Sequence, residues 1–303
     1  MIQKEIIDLV ASRTKIVRRD LIEKDLILHR LLIELSSHNH FFDNFAFKGG
    51  TCLIKCYLDY YRFSEDLDFT YITQREFINK SGKQVRTILS EKITYLMKIL
   101  IEVSAKVGLD FKADKSNAQY VELGGSNKQA SFKLWYTPDD ISQITFIKIQ
   151  VNFLEEMTYS VVKNSATNIF LGKYDDNAAF LLPEDAEWVL KIPKLKCYTI
   201  KEILIEKVRA ILTRRGVKAR DYVDIYMIEK KEKLEVSDFE KQIIEKVHAV
   251  MKFEKYKLNF SEKKDFTFDK SEIDRILLIP LHKDFDTFSR KLKLFLQLLT
   301  KKI

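Results

Sequence analysis

Glycine, proline and cysteine are scarce in this chain. Eight Gly and four Pro in 303 residues leave little material for long flexible linkers. Three cysteines, Cys52, Cys56 and Cys197, are too few and too odd for a disulfide framework and fit a reducing compartment. Cys52 and Cys56 stand one helical turn apart. No neighbouring Cys or His completes a tetrahedral set in sequence, so zinc is not expected. No uninterrupted apolar run approaches the ~20 residues that span a bilayer. The first residues are amphipathic and charged and lack the apolar core of a signal peptide, so a cytoplasmic location is expected. The five histidines, His29, His38, His40, His248 and His282, are scattered and read as structural or exposed rather than catalytic. No Gly-x-x-x-x-Gly-Lys-[Ser/Thr] occurs, which excludes a P-loop, and neither Gly-x-Ser-x-Gly nor His-Glu-x-x-His is present.

What is abundant is apolar and charged. Hydrophobic residues at 46% and charged residues at 32% describe a globular protein, long enough for one large domain or two ordinary ones. The net charge of +8 favours a polyanionic partner or an anionic substrate, or is the solvated surface of a lysine-rich protein. Residues 230–303 hold 18 Lys+Arg against 13 Asp+Glu, so the tail supplies much of that excess.

Residues 1–37 read as helical, with Leu28, Leu31, Leu32 and Leu35 on one face. Asp43-Asn44 break the pattern. A short strand, Phe45 to Lys48, runs into Gly49-Gly50, and a helix from Thr51 to Leu58 follows with Thr51 as its cap. A second strand covers Phe63 to Tyr71. Residues 73–85 read as loop and 85–107 as a long amphipathic helix. Strands then dominate to about Tyr159, with segments 131–136 and 144–153, and Gly124-Gly125-Ser126-Asn127 as a hairpin turn. Past Tyr198 the chain is helical. Thr199 with Glu202 suggests a capping box, Gly216 a helix end, and a further helix runs from Arg220 to Glu229. The order predicts an α+β domain over 1–190 and a helical domain over 191–303. The boundary falls near 185–198, where Pro183 and Pro193 flank a short segment.

The chemistry concentrates in Phe47-Lys48-Gly49-Gly50-Thr51 and Arg62-Phe63-Ser64-Glu65-Asp66-Leu67-Asp68-Phe69. In a strand, Ser64, Asp66 and Asp68 point one way and Leu67 and Phe69 the other. Two carboxylates on one face repel unless a cation sits between them, and oxygen-only ligation suits Mg²⁺ with substrate phosphates. A Gly-Gly turn from strand to helix offers free backbone N–H groups to phosphate. These features together predict an enzyme that handles a nucleoside triphosphate, with Ser64 bonding a phosphate oxygen or orienting Asp66.

The arrangement resembles the nucleotidyltransferase superfamily, and within it the AbiEii/AbiGii-type toxins, which include the MenT-type toxins. The similarity covers Lys48-Gly49-Gly50-Thr51 and the Arg62–Phe69 run. It returns at Glu206-Lys207-x-x-Ala210 with Arg214, then at Arg220-Asp221-Tyr222-x-Asp224-Ile225-Tyr226. The resemblance implies a nucleotidyltransferase-like mixed sheet with helices, and a helical C-terminal domain that contributes to the active site. It implies Asp66, Asp68, Lys207 and Asp221 as catalytic, with Asp66 and Asp68 holding Mg²⁺. Lys48, Gly49, Gly50, Thr51, Ser64, Arg214 and Asp224 are implied as nucleotide-binding. Arg214 and Arg220 are open to two readings, pairing with the aspartates or with phosphates. Superfamily members often carry a third carboxylate on a later strand, where Gln150 stands here with Asn152 on its face. Glu155 and Glu156 fall at the strand end. The implied reaction moves a nucleoside monophosphate from an NTP to an acceptor, with the tRNA 3′ end indicated. The chain would be the toxin of a toxin–antitoxin or phage-defence pair, with a separately encoded antitoxin. Two alternatives remain at this stage: the same fold modifying or phosphorylating a protein partner, or an NTP-binding regulator without turnover.

Overall fold

A computed structural model describes residues 2–125, 127–139, 143–263, 265–275 and 277–303. The chain forms two compact units, Met1–Glu155 with Val161–Cys197, and Glu156–Ser160 with Tyr198–Ile303.

The first unit opens with helices α1 (Lys4–Thr14), α2 (Arg19–Ser37) and α3 (Asn39–Asn44). The stretch 1–37, read as helical, divides at Lys15, whose φ of 60° ends α1 in the left-handed region. Strand β1 (Phe45–Lys48) runs directly into α4 (Gly49–Leu53), which continues as one π-helical turn, Ile54–Leu58. Strand β2 (Asp66–Tyr71) is followed by the 3₁₀ turn Gln74–Phe77 and the long helix α5 (Gly82–Val107). A full capping box between Ser81 and Gln84 starts α5 three residues before the apolar pattern becomes visible. Then come β3 (Val121–Gly124), β4 (Gln129–Tyr136), β5 (Thr145–Asn152), β6 (Val162–Ser165), α6 (Asp176–Leu181), α7 (Ala186–Val189) and β7 (Lys194–Cys197). Gly124, Gly125 and Asn127 join β3 to β4 as expected; Ser126 of that turn lies outside the described residues.

The strands form one mixed sheet in the order β3-β4-β5-β2-β1-β7-β6, parallel at β2–β5 and β1–β7 and antiparallel elsewhere. The period of two gives the sheet two unlike faces. One carries Phe45, Phe47, Leu67, Phe69, Tyr71, Ile149, Val151 and Phe132, all buried. Phe41 of α3 packs edge-on to Phe69, ring centroids 4.9 Å apart. The opposite face is polar across four strands. Register partners there run Lys133–Lys148–Asp66, then Ser131–Gln150–Asp68–Lys48, then Gln129–Asn152–Thr70. So many polar side chains on one face of a large sheet mark it as a working surface.

In the second unit, α8 (Ile200–Thr213) packs against α9 (Ala219–Glu232), α10 (Glu240–Met251) and α11 (Glu254–Ser261). Short α12 (Ser271–Asp274) and the C-terminal α13 (Phe285–Lys302) lie against α9. Thr199 caps α8 by accepting from the Glu202 N–H at 3.2 Å, as predicted. The return arm of the box is replaced. The buried Glu202 carboxylate accepts from the N–H groups of Thr158 and Tyr159 and pairs with Lys246 at 2.6 Å. Helix α8 ends at Thr213, three residues before Gly216, with Arg214 already extended.

Candidate active site

In the first unit the site begins at the junction of β1 and α4. Gly49 has φ +76°, and a Cβ there would stand 2.5 Å from Asp68 Oδ2. A side chain is therefore excluded twice, by backbone conformation and by the carboxylate. Gly50 is cleared for a different neighbour: a Cβ would meet the guanidinium of Arg62, which is itself buried and donates to the Phe63 carbonyl at 2.7 Å. Helix α4 starts at Gly49, not at Thr51, so Thr51 is not its cap. Its buried hydroxyl instead bonds the Asp66 carbonyl and lies 2.7 Å from Ser64 Oγ, stitching α4 to the start of β2. Ser64 precedes the strand, which begins at Asp66 rather than Phe63.

Asp66 and Asp68 share the polar face, half-buried, while Leu67 between them is fully buried. Lys148 of β5 lies 3.2 Å from Asp66. Gln150 is the register partner of Asp68, so the strand position that would carry a third carboxylate is uncharged. An acid reaches this face from further along. Glu155, three residues past β5, accepts from Thr70 Oγ1 at 2.5 Å and from Asn152 Nδ2 at 3.2 Å, and pairs with Lys48. Around Asp66 and Asp68 the face thus brings Glu155 together with the ammonium groups of Lys48 and Lys148. Two oxygen donors one residue apart on a rigid strand suit a hard cation such as Mg²⁺. Beyond Lys133 and Lys148, the half-buried rings of Trp135 and Phe146 stand 4.8 Å apart and continue the face.

A separate charged cluster lies in the second unit. Lys207 of α8 contacts Asp221 at 2.9 Å and Asp224 at 2.5 Å; Asp221 and Asp224 are neighbours on one face of α9. Arg214 reaches Asp221 at 3.1 Å. Asp224 is wholly buried and Asp221 and Lys207 nearly so. Burial alone would push the Asp221 carboxyl up, but Lys207 and Arg214 more than offset it and hold it below the ordinary carboxylate range. Arg220 is exposed. A cleft of about 460 Å³ in this unit, lined by Tyr226, Lys230, Asp284 and Phe288 among others, includes none of these residues.

The sequence model of the AbiEii nucleotidyl transferase toxins, a family of Type IV toxin–antitoxin systems, matches residues 30–301. The chain belongs to the AbiEii family. No curated protein matches it. Two solved structures from Helicobacter pylori are similar over 93% of this chain at 15% identity and TM-score 0.45. One is JHP933, covered over 93% of its length; the other is described as a candidate nucleotidyltransferase and is covered over 96%.

Within the AbiEii chain, the residues singled out from the sequence divide between the two units. Lys48, Gly49, Gly50, Thr51, Ser64, Asp66 and Asp68 converge in the first; Lys207, Arg214, Asp221 and Asp224 converge in the second. Sequence reasoning missed Lys148 and the steric role of Arg62, and left Glu155 at the strand end without a role. Lys148 was legible in principle, because it shares the parity of Gln150 and Asn152. Glu155 was not, since it lies beyond the strand where no period applies. The fold also brings Cys197 beside Cys52 and Cys56, a grouping that sequence spacing does not suggest.

Proposed function

We propose that this AbiEii chain is a Mg²⁺-dependent nucleotidyltransferase that moves a nucleoside monophosphate from an NTP onto the 3′ end of a tRNA. It would act as the toxin of a toxin–antitoxin or phage-defence pair, with a separately encoded antitoxin as its partner. The observation that carries the chemistry is the pair Asp66 and Asp68 on one rigid face, with Gly49 holding backbone against Asp68 where any side chain would collide. In the reaction the acceptor hydroxyl oxygen bonds the α-phosphorus, its proton leaves, and the bond to pyrophosphate breaks. Asp66 and Asp68 are the ligands for Mg²⁺, which when bound offsets negative charge on the phosphates and sharpens the acceptor hydroxyl as a nucleophile. Lys148 balances the charge of Asp66 and fixes its orientation. Lys48, tied to Glu155, holds that acid away from open solvent. Lys207, held by two aspartates, is the phosphate contact proposed for the second unit. The lysines and the Trp135–Phe146 pair beside Asp66 support a nucleic acid acceptor, because stacking rings next to cations suit unpaired bases.

The test is label transfer with each α-labelled NTP, Mg²⁺ and total tRNA, beside an Asp66→Ala control. Label on tRNA that disappears in the control is expected. Tight NTP binding with no labelled RNA would sink the tRNA reading and favour a protein acceptor or a regulator without turnover.

A further inference from the structure

One cluster of chemically able side chains lies outside the machinery described above. Cys52 is in α4, Cys56 is four residues on in the π-helical turn, and Cys197 closes β7, 141 residues after Cys56. Their sulfurs all lie within 4.8 Å of one another, Cys56 and Cys197 at 3.9 Å, and none is in a disulfide. The backbone fixes this convergence. Asn164 of β6 donates its side-chain amide to the Cys56 carbonyl at 2.9 Å, and Val162 of the same strand is the register partner of Cys197. One edge strand therefore holds the elements that carry two of the thiols. Cys52 and Cys197 are buried, and Cys56 is half-buried.

We propose that Cys52, Cys56 and Cys197 form a three-coordinate site for a soft, thiophilic cation of the Cu⁺ type. A cation with metal–sulfur bonds of about 2.3 Å, centred among three sulfurs, holds them about 4.0 Å apart. The cluster already has that spacing between Cys56 and Cys197, and the other separations are at most 4.8 Å. Donor type sets the choice of ion. Thiolates select soft cations, whereas imidazole and carboxylate favour harder ones, and among the described residues no histidine or acid joins this group. Structural zinc sites take four ligands, so three sulfurs suit a three-coordinate ion better. An ion bound here would clamp the helix that opens with Gly49-Gly50 to β7.

The test uses the reduced full-length chain under anaerobic conditions, with Cu⁺ supplied in competition with a chromophoric Cu⁺ chelator. One equivalent should be withdrawn from the chelator, the thermal midpoint should rise, and X-ray absorption should report three sulfur neighbours. Cys56→Ser, at the half-buried position, should weaken Cu⁺ binding at least tenfold and leave two sulfur neighbours. No transfer from the chelator, or two sulfur neighbours in the unaltered chain, would overturn the proposal. So would a folded Cys56→Ser chain that binds as tightly as the parent. If that variant does not fold, the sulfur count of the unaltered chain still decides.

Discussion

Gly49 shows how one residue type can be demanded by two constraints. Its φ of +76° disfavours any L side chain by roughly 1–2 kcal/mol, and the Asp68 carboxylate occupies the place a Cβ would need. Gly49→Ala should therefore lower stability by at least about 1 kcal/mol and displace Asp68. Label transfer should fall much further than stability; equal losses in the two assays would mean that Asp68 has no part in the reaction. A second residue sets the acid response. His29 is buried, donates through Nε2–H to the Lys191 carbonyl (3.0 Å), and has its pKa lowered to about 3, because burial and then the nearby Lys55 charge oppose its protonation. The unfolded chain binds this proton near pH 6.5, so stability is complete above that value and is lost as pH falls from about 6.5 towards 3. The loss is on the order of a few kcal/mol. His29→Gln should flatten that part of the pH dependence in urea unfolding; an unchanged slope would show that His29 does not supply it.

At the level of elements, α8 and α9 are joined by buried charge as well as by apolar packing. Lys207 neutralises two carboxylates that would otherwise face each other in the interior. Lys207→Met should cost about 3–5 kcal/mol, the usual penalty for leaving a buried charge unpaired. Adding Asp224→Asn should restore part of it, since one of the two repelling charges is then gone. Urea unfolding of the single and double variants checks this; strict additivity would count against the network. The sign with pH follows. Asp221 lies below its ordinary value, so in the parent chain it contributes stability above about pH 4 that acid removes. Without Lys207 the carboxyls prefer the proton, and the variant should gain stability on mild acidification. Strand β2 shows the complementary logic: Leu67 and Phe69 seat it in the core, and the alternation of the strand then holds Asp66 and Asp68 half-buried on the polar face.

For the molecule as a whole, the net charge of +8 is a statement about partners rather than about fold. If the acceptor is RNA, the KM for tRNA should rise steeply between about 50 and 200 mM salt, because phosphate contacts release counterions on binding. The KM for NTP should change far less. A salt-insensitive acceptor KM would argue for a protein acceptor.

The local elements of this protein were legible in its residues. The strand Phe45–Lys48, the carboxylates at i, i+2 with an apolar residue between them, and the Thr199 cap all follow from periods and side-chain chemistry within a few positions. The helical tail and the shared face of Asp221 and Asp224 came from the family pattern and from helix spacing, whereas the pairing of Lys207 with both aspartates is seen only in the folded chain. Other features depend on distant segments meeting. Thr51 looked like a cap and is a cross-link, because β2 returns beside α4. Gln150 left the strand without a third acid, and Glu155 folds back onto the same face from beyond the strand. Cys197 joins Cys52 and Cys56 only because β1 pairs in parallel with β7. Periodicity specifies which face a side chain takes; which faces and ends then meet depends on strand order, and no local pattern encodes it.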